Sequence, residues 1–172
     1  MSSFGIVGDT KVGLFREDVH EDPMYLDIEE LEFSKYRKVH CYDYRNNKFL
    51  VSKIKTIIKF GTTPVRSYRF SSDCNFGKSS FGAEDEIVAT PNQEILTFDH
   101  GGLPLEYIEH RRPTPNSLIS IKRKPYNEVV ETCTSSFLIS FDYNYDVVYT
   151  LVIEGDYHFV ANGFLVKGWR EN

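Results

Sequence analysis

The feature that most constrains this chain is a dipeptide, Asn162-Gly163, set between the apolar triplets Phe159-Val160-Ala161 and Phe164-Leu165-Val166. Both residues tolerate positive φ, as a two-residue type I′ connection demands, so the triplets are expected to pair as antiparallel strands. Upstream the same grammar repeats. From Asn47 to Phe60 the chain is rich in β-branched residues, and Lys53, Lys55 and Lys59 share one parity, which predicts a long bent strand with one wet and one buried face. Further strands are expected at Val65 to Phe70, Glu86 to Ala89, Ile95 to Phe98, Leu118 to Lys122, Ser136 to Phe141 and Val147 to Ile153. Runs this short, spaced near ten residues apart, point to an all-β fold, and the 15% aromatic content suits pleated surfaces. At most one short helix is expected, in Asp27-Ile28-Glu29-Glu30-Leu31, where Asp27 can cap the first turn and Glu30 reach back. Ser71 to Gly82 and Glu106 to Asn116 are largely polar and read as loops.

A chain of 172 residues is long enough to bury a self-sufficient core. One domain over residues 1–172 is expected, its core from about 5 to 168, with tails 1–4 and 169–172. The formal charge of −5 has the wrong sign for a dedicated nucleic-acid binder, although basic residues gather from Arg45 to Arg69 and from Arg111 to Lys124. Cys41, Cys74 and Cys133 are widely spaced, so the pattern suggests neither a disulfide framework nor a zinc site, and buried thiols in a reducing compartment are expected. No apolar run reaches membrane-spanning length, and the opening residues lack the features of a signal peptide. The expectation is a soluble, unexported, intracellular protein with no cofactor and no metal.

Three ordered segments carry a family resemblance. The first is Gly5-Ile6-Val7-Gly8-Asp9-Thr10-Lys11-Val12, the second Thr90-Pro91-Asn92-Gln93-Glu94-Ile95-Leu96-Thr97, and the third runs from Val148 to Val166. Between them, Ile28-Glu29-Glu30-Leu31, a turn from Tyr42 to Lys48 and a long strand fall in matching order. The whole pattern resembles the Hint domains of inteins, hedgehog autoprocessing domains and their bacterial relatives, over essentially the entire chain. The resemblance implies a compact, pseudo-two-fold, horseshoe-like disc of short strands.

Position by position, the resemblance then argues against the family's reaction. An acyl shift needs a side-chain nucleophile at the first place of the opening block, and that place holds Gly5. Thr90 keeps the threonine of the second block, but Gln93 stands where a histidine protonates the scissile amide, and glutamine cannot shuttle a proton near neutral pH. The family's later Asp and His align with Thr150 and Tyr157, with His158 one place late. Inteins place a His-Asn pair on the last strand; here Lys167-Gly168 is followed by Trp169-Arg170-Glu171-Asn172. No catalytic residue is expected among these vestigial positions, and Gly8, Thr10 and Thr90 are read as a structural hydrogen-bond cluster.

The remaining candidates have ordinary readings. His158 is taken as a surface or satisfied core residue, and His40 and Cys41, adjacent on a strand, would face opposite ways and share no metal. Asp99-His100-Gly101-Gly102 is read as a turn, and Asn172 as a coincidental match to an intein's last residue. Trp169, the only tryptophan, would anchor to a partner or fold back over the vacant pocket. The expected function is a splicing-incompetent structural or protein-interaction module. Its resemblance to stand-alone Hint-like proteins of phage and other viral genes implies a virion component, in the host cytoplasm and the particle. Its partners would be other proteins of that assembly, with neither membrane nor nucleic acid among them. The alternative is an autoprocessing domain with an unorthodox or mutated nucleophile. One engineered substitution would account for Gly5, but not also for Gln93, Lys167 and Gly168.

Overall fold

The computed structural model describes residues 3–16, 24–72, 86–97, 101–111, 117–124 and 127–170. In chain order, β1 (Ile6–Val7), β2 (Lys11–Leu14) and β3 (Met24–Asp27) lead into a 3-10 turn (Ile28–Phe33), then β4 (Lys38–Asp43) and β5 (Lys48–Ser72). Next come β6 (Glu86–Ala89), β7 (Glu94–Thr97), β8 (Gly101–Pro104) and a helix, α1 (Leu105–Arg111). The last strands are β9 (Ser117–Lys124), β10 (Asn127–Ile153), β11 (His158–Ala161) and β12 (Phe164–Lys167). They form one sheet in the order β3-β2-β11-β4-β5-β6-β1-β10-β9-β12-β7-β8, folded back on itself by further pairings such as β2 with β4 and β11 with β12. The all-β architecture expected from the strand spacing is what the chain adopts.

Its axis is the ribbon of β5 and β10, paired antiparallel from Ile54 against Ile153 to Ser72 against Ser135. Two expected pairs of strands are here fused: Val65 to Phe70 continues β5, and Ser136 to Phe141 joins Val147 to Ile153 in β10. Register shifts at Ser135/Phe137, Phe141/Asn144, Val147/Val148 and Val152/Ile153 explain the merger, because extra residues bend a strand while its ladder continues. The predicted parity on β5 holds, with Ser52 and Ile54 buried and Lys53, Lys55 and Lys59 exposed.

The helical expectations need correction. Asp27 makes no side-chain cap, and residues 28–33 form a 3-10 turn instead of an α-helix. The Asp27 carboxylate is drawn to Lys11 Nζ across the β2–β3 pair, so it is not free to cap. A second helical element, α1, occupies the start of the segment read as loop. It forms because Leu105 and Ile108, three apart on one face, both reach the core, while the Leu105 and Glu106 amides donate to the carbonyls of Gln93 and Pro91 (2.9 Å each). Ser71 and Ser72 belong to β5; residues 73–82 and 112–116 of the expected loops lie outside the described residues, as does Cys74.

The closing hairpin is as expected: Asn162 has φ 50°, Gly163 φ 81°, and Ala161 pairs with Phe164. It is buried on both faces. Phe159, Ala161, Phe164 and Val166 enter the main core beside Ile6, Leu14, Leu31, Ile54, Tyr68 and Leu151. Val160 and Leu165 pack on the reverse side with Tyr42 and Leu96. Double burial accounts for the nearly unbroken apolar run of the two triplets. The Asn162 side chain also bolts three segments together, accepting from the Lys11 amide (2.8 Å) and donating to the Glu86 carbonyl (3.2 Å). No helix among the described residues is long and apolar enough to cross a membrane.

Candidate functional site at the two junctions

The opening and closing segments meet side by side along one edge of a short stretch of β10. Gly5 lies just ahead of β1, whose Ile6 pairs with Tyr149. The Gly5 amide donates to Thr90 Oγ1, and the Thr90 amide donates back to the Gly5 carbonyl, both at 3.0 Å. A Cβ at Gly5 would stand 2.4 Å from the Tyr149 carbonyl oxygen, far inside van der Waals contact. Position 5 is therefore closed to a side chain by the main chain of β10.

The other junction is built the same way. A Cβ at Gly168 would stand 2.4 Å from the Leu151 carbonyl oxygen, and that oxygen accepts the Trp169 amide (2.9 Å). Two residues apart on β10, Tyr149 and Leu151 thus each press a carbonyl against a glycine. Between them Thr150 is buried, and its hydroxyl has no hydrogen-bond partner.

Gln93 ties the two junctions together. Its amide N–H donates to the Thr90 carbonyl (3.0 Å), while its buried side-chain Nε2 donates to the carbonyls of Glu94 (2.9 Å) and Lys167 (3.0 Å). Gln93 thus serves as a neutral brace between the Thr90 turn and β12. Outside the glycines, Trp169 folds back: its indole stacks on Phe4 (centroids 5.4 Å apart, planes 10° apart) and leans on Phe60 (5.6 Å). Arg170 and Lys167 then reach Asp156 at 2.9 and 3.1 Å. Partial burial works against that carboxylate, yet hydrogen bonds from Arg170 and Lys167 hold it below its ordinary range.

Of the residues singled out from the sequence, Gly5, Thr90, Gln93, Thr150, Lys167 and Gly168 gather along this seam, and Trp169 covers it. Tyr157 does not join them; its half-buried ring packs over Gly155 instead. Thr10 caps its own turn, donating to the Val7 carbonyl (2.8 Å), without contributing to the Gly5–Thr90 pair. His158 is buried, but it is not satisfied as expected: Nε2 has no partner, and burial, followed by the nearby Lys167 charge, pushes its pKa down to about 4. Strand alternation explains why it cannot serve the seam. Phe159 points toward Gly168, 3.6 Å from the position of a Cβ there, so His158 points away, toward Gly102. Cys41 is a buried thiol whose pKa burial pushes up, which leaves it inert. Among the described residues no three His, Cys, Asp or Glu side chains converge as metal ligands.

Three contributors escaped the sequence reading. Phe4 and Phe60 carry no motif, and the Asn162-Gly163 turn signal reveals φ but not the partners of the Asn162 side chain. Nothing short of the register reveals them.

The arrangement of strands is that of solved inteins. The chain is similar to a DnaB intein from Synechocystis sp. PCC 6803 (TM-score 0.70, 17% identity, covering 98% of this chain and 100% of that one). It is similar to the PabCDC21-1 intein (0.69, 15%, 98% and 100%) and to the DnaX mini intein from Spirulina platensis (0.62, 19%, 96% and 100%). No family model and no curated protein matches the chain. Identities this low establish the fold, and the fold is the Hint fold of inteins.

Proposed function

We propose that this Hint-fold domain does not splice or cleave itself and acts as a structural, protein-interaction module. The observation that carries the proposal is the Tyr149 carbonyl oxygen, 2.4 Å from where any nucleophile's Cβ at position 5 would have to stand. An acyl shift needs an attacking atom beside the preceding carbonyl, and a glycine has none. The neutral brace at Gln93 and the second closed seat at Gly168 support the same reading, because proton transfer and side-chain cyclisation each lack their group. The resemblance to short stand-alone Hint-like proteins of phage genomes supports a virion as its setting, with other proteins of the particle as its partners.

Intact-mass measurement tests this. The chain is expressed with flanking sequence at both ends and incubated with and without thiol; its mass is expected to stay unchanged. A specific cut next to Gly5 or after Gly168 establishes the autoprocessing alternative. The triple variant Gly5→Cys, Gln93→His, Gly168→Asn is also expected to stay uncut, since Tyr149 and Leu151 still occupy the two seats. Copurification with a particle tests the virion setting separately.

A further inference from the structure

We propose that the face built from β5, the end of β10 and the segment after β12 is a groove for an extended, acidic segment of a partner protein. The proposal rests on the interaction-module reading and gives it a location and a ligand chemistry. Two clefts of about 340 Å³ each lie on this face and share Lys55 as a common wall. The first carries Lys167, Arg170 and the Trp169 indole; the second carries Arg37, Lys59 and the Tyr149 ring. Across both, five cations face two carboxylates, Glu32 and Asp156, in a chain whose net charge is −5. In the first cleft Lys167 and Arg170 both reach Asp156, so the carboxylate there is outnumbered by the cations that bind it.

Aromatic surface is interleaved with the charge. Lys59 Nζ sits 5.9 Å from the centroid of the Tyr149 ring, and Trp169 offers the exposed part of its stack on Phe4. Both clefts also have aliphatic floor, from Ile54 and Ile57 in one and Val152 and Ile153 in the other. A concave face that is cationic at its walls and apolar at its base attracts an anionic chain and can hold apolar side chains. A peptide fits this better than a polynucleotide. A phosphodiester brings a negative charge at each step and meets Glu32 and Asp156 unfavourably, whereas a peptide can set a neutral residue opposite each carboxylate.

The experiment uses fluorescence anisotropy with three labelled probes: an eight-residue peptide alternating glutamate and isoleucine, the same peptide with lysine for glutamate, and an oligothymidylate. Saturable binding is expected for the glutamate peptide alone, with a change in emission from Trp169, the only tryptophan. Its affinity should fall about tenfold as salt rises from about 50 to about 500 mM, since paired charges at a groove rim are screened. The double variant Lys59→Glu, Arg170→Glu should weaken binding by about tenfold or more. Lys59→Gln should give a smaller loss, and both should keep the parent's circular dichroism spectrum. Failure of the glutamate peptide to bind, equal binding of the lysine peptide, indifference to the variants, or tighter binding of oligothymidylate overturns the groove. The failures separate cleanly: absent peptide binding with unchanged intact mass removes the groove alone, while cleavage removes the inert-module reading whatever the peptide does.

Discussion

The two faces of the closing hairpin behave differently. The inner face, with Phe159 and Val166 in the main core, borders the junction seam, where Gly5, Thr90 and Gln93 are neutral and hydrogen-bonded. The outer face carries His158, an imidazole buried with Nε2 unpaired. The seam is made of fixed neutral contacts, whereas the buried imidazole of His158 lies on the far side of the strand from it. Strand alternation along β11 produces the contrast, because each step flips the side chain through the sheet: Phe159 faces the seam and His158 faces away from it.

The contrast can be broken or sharpened in order of effect. The largest effect belongs to the outer face. The folded pKa of His158, about 4, lies below its ordinary 6.5. Its contribution is therefore fully present above pH 6.5 and is lost as pH falls toward 4, amounting to ~3 kcal/mol of stability. Denaturant unfolding of the protein and of His158→Phe at pH 7 and pH 4.5 should show a steep loss in the former and a much shallower one in the latter. Equal slopes would mean the imidazole has found a partner.

On the inner face, Gly5→Ala and Gly168→Ala should each cost about 2 kcal/mol, the usual scale for forcing atoms into filled space. For a domain of this length that lowers the melting temperature by about 4–8 °C. If either melts like the parent, that seat is open and the inert reading loses its support there. The two threonines of the seam sharpen the test by opposite sign. Thr90→Val strips the acceptor from the buried Gly5 amide and should destabilise by about 1–2 kcal/mol. Thr150→Val removes a buried hydroxyl that has no partner, so it should be neutral or stabilise by about 0.5 kcal/mol.

Much of this was legible in the sequence, for reasons that can be named. The hairpin was readable because Asn162 and Gly163 have almost no other use between two apolar triplets. The face of β5 was readable because lysines at one parity leave a single way to bury the strand. That position 5 brings no side-chain nucleophile was readable because it depends on residue identity alone: glycine has none wherever it sits. What escaped depends on register. Whether Val65 and Phe60 belong to one strand or two depends on bulges that no local pattern marks. The helix α1 was hidden because two buried residues, Leu105 and Ile108, sit among polar ones and its amides are capped by carbonyls twelve or more residues upstream. The stack of Phe4 on Trp169 joins residues near opposite ends of the described chain and has no sequence signature.

The Asn162-Gly163 turn has one more consequence, and it concerns chemical ageing. An asparagine followed by glycine is open to attack by the following backbone nitrogen on its own side-chain carbonyl, which expels ammonia through a cyclic imide and leaves aspartate or isoaspartate. Here the side-chain oxygen is held by the Lys11 amide and the nitrogen by the Glu86 carbonyl, so the group cannot swing onto its own backbone while the domain is folded. The dipeptide that defines the hairpin thus acts as a clock that runs only when the fold opens, and the slow appearance of isoaspartate in a stored sample would count the time each molecule has spent unfolded.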